Sequence, residues 1–279
     1  FICGTEAFAL YDVDSIPLAP NVHDDLAGRP NLYRKAARVW ADLTDRERRE
    51  AAACYYALIT EIDAQYGRLI DAVERAGQLD NTIVIVSSDH GESLGAHGLY
   101  CKNISASEEI YHIPLVFAGP GIARGKVSDA LVGLHDVCPT ILEMTGCEPI
   151  VAPDSRSFAA ALRDPDGASA AFNQGYAEYF GGRYMLTQRV FWEGPWKFVL
   201  NGFDFDELYN LEEDPGEMRN LAGDPAHGGR IRHMMGEVWR RIRDTGDRSL
   251  WQSHYPILRL APYGPMIIPD APAQGENRT

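Results

Sequence analysis

Asp89, His90, Glu92, His97 and Lys102 fall within residues 87–102, a stretch that also carries Gly91, Gly95 and Gly98. A carboxylate beside an imidazole presents a hard oxygen donor and a nitrogen donor. The first suits calcium or magnesium, and the second also tolerates manganese or zinc. Two ligands do not hold an ion, so the pair predicts further ligands from elsewhere in the protein. The glycines allow the chain to turn tightly and bring Lys102 back towards the metal as a compact positive charge for an anionic substrate. The competing reading is a surface turn in which Asp89 caps a following helix.

The segment that must position these residues precedes them. Residues 82–86, Thr-Ile-Val-Ile-Val, form an uninterrupted β-branched run, which predicts a strand buried on both faces. If the sheet is parallel, Asp89 and His90 lie just past the carboxyl end of a strand, where a ligand crevice opens. Upstream, Thr44 and Glu47 make a capping box that opens a long helix through about residue 76, ended by Gly77. A short helix is expected near residues 33–40, a second strand near 113–118, and helices near 136–146 and 156–163. Residues 164–167 carry a Gly, Asp and Pro cluster that marks a boundary. Beyond it, residues 183–191 and 196–200 read as paired strands joined by Glu193-Gly194-Pro195. Tyr184, Phe191, Trp192, Trp196 and Phe198 would form a small core there, covered by an amphipathic helix over 230–243. The proline-rich residues from 252 on show no periodicity and read as a tail.

The order of these motifs resembles the sulfatase family of the alkaline phosphatase superfamily. The resemblance runs from about residue 50 to residue 245. It is carried by Glu61-Ile62-Asp63-Ala64-Gln65-Tyr66-Gly67-Arg68-Leu69, Asp80-Asn81-Thr82, the loop 87–102 and residues 109–117 with Gly119-Pro120-Gly121. Residues 134–142, Glu207-Leu208-Tyr209-Asn210-Leu211, Asp214-Pro215 and Asn220-Leu221 continue it. It implies an α/β fold, the carboxyl-terminal portion of an alkaline-phosphatase-like α/β sandwich plus a small antiparallel sheet-and-helix subdomain. The expected division is 1–165 for the partial catalytic domain, 166–250 for the small subdomain and 251–279 for the tail.

The resemblance also implies chemistry. In sulfatases a Cys or Ser within a Cys/Ser-x-Pro-x-Arg motif becomes a formylglycine nucleophile. None of the five cysteines here has Pro two residues and Arg four residues later. Asp154-Ser155-Arg156-Ser157 has a superficial likeness but falls too late in the chain. The expectation is therefore the carboxyl-terminal part of a longer sulfatase, with the formylglycine and an acidic metal-binding pair upstream of Phe1. Asp89 and His90 would bind a divalent cation, Ca2+ first, with Mn2+ or another ion as an alternative. Lys102 would hold a sulfate oxygen and act in catalysis. His97, in Gly95-Ala96-His97-Gly98, would organise the loop beside the substrate or act on it directly. Glu109 would orient Lys102 or the loop backbone, and His135 with Asp136 would cap the next helix. His90 resembles the subgroup that includes iduronate-sulfatase-like and phosphonate-monoester-hydrolase-like members. Three functions follow: a sulfuric ester hydrolase, a phosphodiesterase or phosphonate monoester hydrolase of the same superfamily, and a non-catalytic metal-binding remnant.

Composition narrows the partners. A formal net charge of -14 and a sequence pI near 5.0 argue against nucleic acid as a partner. The expected partner is a small or glycan sulfate ester. No apolar run reaches the roughly 18–20 residues of a membrane helix. The cysteines are odd in number and lack a framework spacing, so disulfides are not indicated. His23 lacks a catalytic context, His112 reads as structural, and Glu212-Glu213-Asp214 reads as a solvated turn.

Overall fold

The protein is described from a computed structural model that covers residues 1–102, 104–182, 186–202 and 204–251. Residues 183–185, where Tyr184 was expected in the core, and the tail from 252 on lie outside the described residues.

The capping box forms as the sequence requires. Thr44 Oγ1 accepts from the Glu47 backbone N–H, the Glu47 carboxylate accepts from Thr44 N–H, and the helix Asp45–Arg75 follows. Its buried side is built from small residues, Ala52, Ala53 and Ala57. Ile59, Ile62, Tyr66, Leu69 and Ile70 remain exposed along its later turns. The short helix Asn31–Ala37 precedes it, and Val137–Thr145 and Ala159–Arg163 occupy the other expected helical segments.

Strand β1 (Val84–Ser87) pairs with β2 (Leu115–Ala118) in a two-stranded antiparallel sheet. The two-sided burial expected of β1 is corrected here, and the parallel pairing on which the crevice argument was conditional is not observed. All four β1 residues are half-buried and Val116 of β2 is exposed, because no other strand among the described residues flanks the pair. The apolar run reports that the strand needs covering, and carries no information on the direction of its partner.

A second sheet has the order β3-β4-β5-β6, all antiparallel: β3 (Gln174–Tyr179), β4 (Gln188–Glu193), β5 (Trp196–Asn201) and β6 (Glu207–Asn210). The helix Gly228–Asp244 lies on it. Met234, Met235, Val238, Trp239 and Ile242 from the helix pack against Phe191, Phe198, Leu200 and Leu208 from the strands. This is the largest dry cluster. Period-2 alternation sends Phe198 and Leu200 to that face and Lys197 and Val199 to the other, where Val199 joins Val190, Trp192 and Ala106. The second face is turned toward the segment that follows the site loop. None of the described helices is long and apolar enough to cross a membrane.

Candidate active site

The loop after β1 is held almost entirely by its own backbone and by two neighbouring segments. Ser87 Oγ donates to the Pro114 carbonyl (2.9 Å), and Ser88 Oγ donates to the His90 carbonyl (2.8 Å). Gly91 N–H donates to Ile110 O (2.8 Å) and Glu92 N–H to Glu109 O (3.0 Å), which fastens the start of the loop to residues 109–110. Gly91 is needed at that point: a Cβ there would lie 1.9 Å from the Glu109 carbonyl oxygen. The far end returns to the same place. Ser93 donates through Oγ (2.8 Å) and N–H (3.3 Å) to Cys101 O, and Glu92 Oε1 accepts from Cys101 N–H (2.5 Å). Lys102 is therefore carried back beside Glu92 and Ser93, at the neck of the loop.

Between these ends the chain coils tightly. Leu94, His97 and Cys101 take positive φ (44°, 54° and 66°), as do Gly95 and Gly98. Left-handed backbone costs a non-glycine residue of order 1 kcal/mol, and it persists where surrounding contacts enforce it. Those contacts are present: Leu99 and Ile104 are both fully buried against Leu26, Tyr33 and Ala36. Lys102 lies between these two anchors, half-buried, with no ion pair among the described residues.

Asp89 and His90 project at the start of the loop. The Asp89 side chain is 82% exposed. Asp89 Oδ1 accepts from His90 N–H (3.0 Å), and its Oδ2 lies 3.4 Å from His90 Nε2. His90 Nδ1 is 2.8 Å from the Gly91 carbonyl, so Nδ1 carries the proton and Nε2 keeps its lone pair. Oδ2 and Nε2 form a close acid–imidazole contact at 3.4 Å, a spacing that would also suit two donors of one ion. The pair therefore fits a divalent cation.

His97 is in a different setting. It is 1% exposed, Nδ1 donates to Asp24 Oδ2 (2.8 Å), and Nε2 accepts from Asn21 Nδ2 (3.0 Å). Both ring nitrogens thus have protein partners. Burial works against the Asp24 carboxylate, but the His97 hydrogen bond and Arg29, 3.0 Å away, outweigh it and keep its pKa low. Asn21 is a junction: its Nδ2 also lies 2.9 Å from Glu109 Oε1 and 3.2 Å from Gly216 O, so its two hydrogens are shared among three acceptors. The orienting role expected of Glu109 is carried by two atoms, its carbonyl on Glu92 and its carboxylate on Asn21.

The sequence reading missed Asn21, Asp24, Arg29, Glu108, Lys197 and Glu217. Lys197 Nζ sits between Glu108 Oε1 (2.9 Å) and Glu217 Oε1 (2.8 Å), and Glu217 Oε2 accepts from Glu108 N–H (2.7 Å). Burial alone would discharge Lys197, yet the two carboxylates hold its pKa above the usual lysine value. Its signal in the sequence was a lysine between Trp196 and Phe198 in an otherwise apolar strand. His97, Glu109 and Glu217 also bring one ligand atom each within 4.8 Å of one another. Lys197 already compensates Glu217, and the His97 nitrogens are occupied, so Asp89 and His90 are the better metal candidates. His135 and Asp136 lie at the turn before Val137: Asp136 accepts from Gly133 N–H (3.0 Å) and Arg156 N–H (2.8 Å). His23, 69% exposed beside Asp45, stays outside the network, and His112, 82% exposed, touches only its rim, with Nδ1 3.8 Å from Glu108 Oε2.

Two family profiles match the chain. The sulfatase family profile matches residues 22–147, and the profile of the N-sulphoglucosamine sulphohydrolase C-terminal region matches residues 95–244. The chain is 34% identical to the uncharacterized sulfatase YidJ of Escherichia coli over 227 residues, covering 80% of this chain and 44% of the relative. It is 30% identical to the multifunctional alkaline phosphatase superfamily protein PehA of Trinickia caryophylli, over 95% of this chain and 56% of that protein. Among solved structures, BT4656 in complex with its substrate D-glucosamine-2-N,6-O-disulfate superposes with a TM-score of 0.79 at 20% identity, covering 88% of this chain and 63% of that one. The phosphonate monoester hydrolase SpPMH of Silicibacter pomeroyi gives 0.74 at 27% identity, covering 86% and 53%. The chain thus spans about half the length of the curated relatives it matches. Matched in sequence over most of its length and in fold by alkaline-phosphatase-like enzymes, the chain belongs to the sulfatase family.

Proposed function

We propose that the chain forms part of the active site of a hydrolase that cleaves a sulfuric ester, small or glycan, by a formylglycine nucleophile contributed by polypeptide upstream of Phe1. The observation that carries this reading is the Asp89–His90 pair, whose Oδ2 and Nε2 face each other at 3.4 Å at the start of a loop that returns Lys102, which has no ion pair among the described residues. Asp89 and His90 would hold a divalent cation, Ca2+ in the first instance, which when bound would lower the nucleophile's pKa and neutralise charge on the ester oxygens. Lys102 binds a sulfate oxygen and stabilises the charge that grows on it in the transition state. Its ammonium is available for this because no carboxylate among the described residues pairs with it. His97 acts through the loop, as its nitrogens are bonded to Asp24 and Asn21.

A second reading, hydrolysis of a phosphodiester or phosphonate monoester, is favoured by the likeness to PehA and to the phosphonate monoester hydrolase. The test uses the protein expressed from its complete coding sequence, assayed on an aryl sulfate and an aryl phosphonate monoester. Asp89→Ala is expected to lose bound metal and activity together, and Lys102→Ala to lower kcat with metal retained. Equal metal loss in both variants would refute the division of roles. A preference for the phosphonate would establish the second reading.

A further inference from the structure

Four pieces of the molecule converge beneath the loop start: the residues following the loop (Glu108–Ile110), strand β5 (Lys197), the turn at Gly216-Glu217 and the segment at Asn21. We infer that Lys197, a fully buried lysine of the carboxyl-terminal sheet, is a positioning residue for the Asp89–His90 pair, which rests on the reading of that pair as metal ligands.

The path is short and each link is a direct contact. Lys197 Nζ donates to Glu108 Oε1, which also accepts from Trp192 Nε1 (2.9 Å). Glu217, gripped by the same ammonium, holds the Glu108 backbone N–H. Both ends of Glu108, carboxylate and amide, are thereby fixed to the sheet. The next two residues supply the carbonyls that receive Glu92 N–H and Gly91 N–H. Gly91 O in turn receives His90 Nδ1, the bond that leaves Nε2 its lone pair. One ammonium therefore governs the height of a three-residue ledge on which the ligand-bearing turn rests.

Two features separate this from a core ion cluster that serves stability alone. Burying a lysine with two carboxylates is a poor way to stabilise a fold, since desolvation offsets most of the attraction. Glu217 is also held in left-handed backbone, φ 52°, at a non-glycine position, so its carboxylate is placed there against a conformational cost. Gly91 leaves no gap between ledge and loop: a movement of residues 108–110 is passed on to Gly91 and Glu92 without slack.

The test is amide exchange on the protein expressed from its complete coding sequence, comparing wild type with Lys197→Met and Glu108→Gln. Exchange at Gly91 and Glu92 is expected to accelerate by about tenfold or more while the β4–β5 amides of Val190 and Phe198 keep their protection. Mn2+ affinity, measured by calorimetry, is expected to fall about 10-fold in both variants, as for groups that orient a ligand. Unchanged exchange at Gly91 and Glu92 in a folded variant would overturn the inference. If Lys197→Met does not fold, Glu108→Gln decides; its unfolding as well would assign the triad to the fold and overturn the inference. Asp89→Ala serves as the control. Wild-type Mn2+ affinity in that variant would refute the metal reading, and the exchange data would still decide whether Lys197 sets the loop.

Discussion

The contact between Gly91 and residues 109–110 allows one substitution to be followed quantitatively. In Gly91→Ala the new Cβ would stand 1.9 Å from Glu109 O and 2.9 Å from its carbonyl carbon, both backbone atoms that no rotamer change can move. Restoring an ordinary van der Waals separation of at least 3.4 Å requires the two segments to part by about 1.5 Å. The hydrogen bonds Gly91 N–H to Ile110 O and Glu92 N–H to Glu109 O, 2.8 and 3.0 Å long, would then stretch beyond about 4 Å and be lost. Each is worth about 1 kcal/mol net, and leaving the donors unsatisfied adds to the loss, so a cost of about 2–4 kcal/mol is expected. The lower chain entropy of alanine in the unfolded state returns about 0.4–1 kcal/mol of it. The same replacement at Gly67, inside the helix Asp45–Arg75 with nothing within 4 Å of a Cβ, is the matched control, and there alanine is expected to stabilise by up to about 1 kcal/mol. Urea unfolding followed by circular dichroism measures both. If Gly91→Ala and Gly67→Ala shift stability in the same direction, or Gly91→Ala costs less than about 0.5 kcal/mol, the steric argument fails.

Two further predictions concern the carboxyl-terminal sheet. Burial pushes the pKa of Asp206 up to about 7, with Glu207 adding to the shift and the Asn201 N–H opposing it. Its folded pKa exceeds its unfolded one, so the folded state binds more protons and stability falls as pH rises from about 4 through about 7. Because the carboxyl is only partly shielded from solvent, the full shift is discounted, and Asp206→Asn is expected to gain about 1–2 kcal/mol at pH 8 and little at pH 4. A thermal-melt gain independent of pH would contradict that origin. Trp239→Ala, at the centre of the helix–sheet cluster and 1% exposed, is expected to cost about 3–5 kcal/mol in urea titration. A loss under 1 kcal/mol would mean that the helix does not pack as described.

Elements fixed by local chemistry were legible in the sequence. Thr44 and Glu47 announced the long helix because both halves of a capping box lie three residues apart in the chain, and the 3.6-residue apolar spacing announced Gly228–Asp244. Strands β3 and β6 were not legible. Gln174–Tyr179 contains a glycine, Gln174 and Glu178, and it becomes a strand because β4 offers it a ladder. The partner of β1 was not legible for the same reason: pairing direction is a property of two segments. At the site, Asp89, His90, His97 and Lys102 were found because they are neighbours in sequence. Asn21, Glu217 and Lys197 were missed because they meet the loop from distant positions, and a lone Asn or Lys carries no periodicity to mark it. The pair itself stands out in the sequence; the support beneath it had to be seen in three dimensions.

That support has a consequence for biosynthesis. The Asn21 amide bonds to Gly216, 195 residues on, and Tyr33 donates to Glu207 at a separation of 174. Synthesis proceeds at about 5–20 residues per second, so Glu217 emerges on the order of 10 s after His97. Throughout that interval Glu108 and Asn21 lack their partners Lys197, Glu217 and Gly216, while the positive-φ turns at Leu94, His97 and Cys101 rest on residues already made, Asn21, Asp24, Leu26, Tyr33 and Ala36. A ribosome that stalls within β5 or β6 would release a chain whose helix Asp45–Arg75 is formed and whose ledge at Glu108–Ile110 is still unfastened. The turn at 214–217, remote from the ledge in sequence, is thus the segment whose arrival completes it.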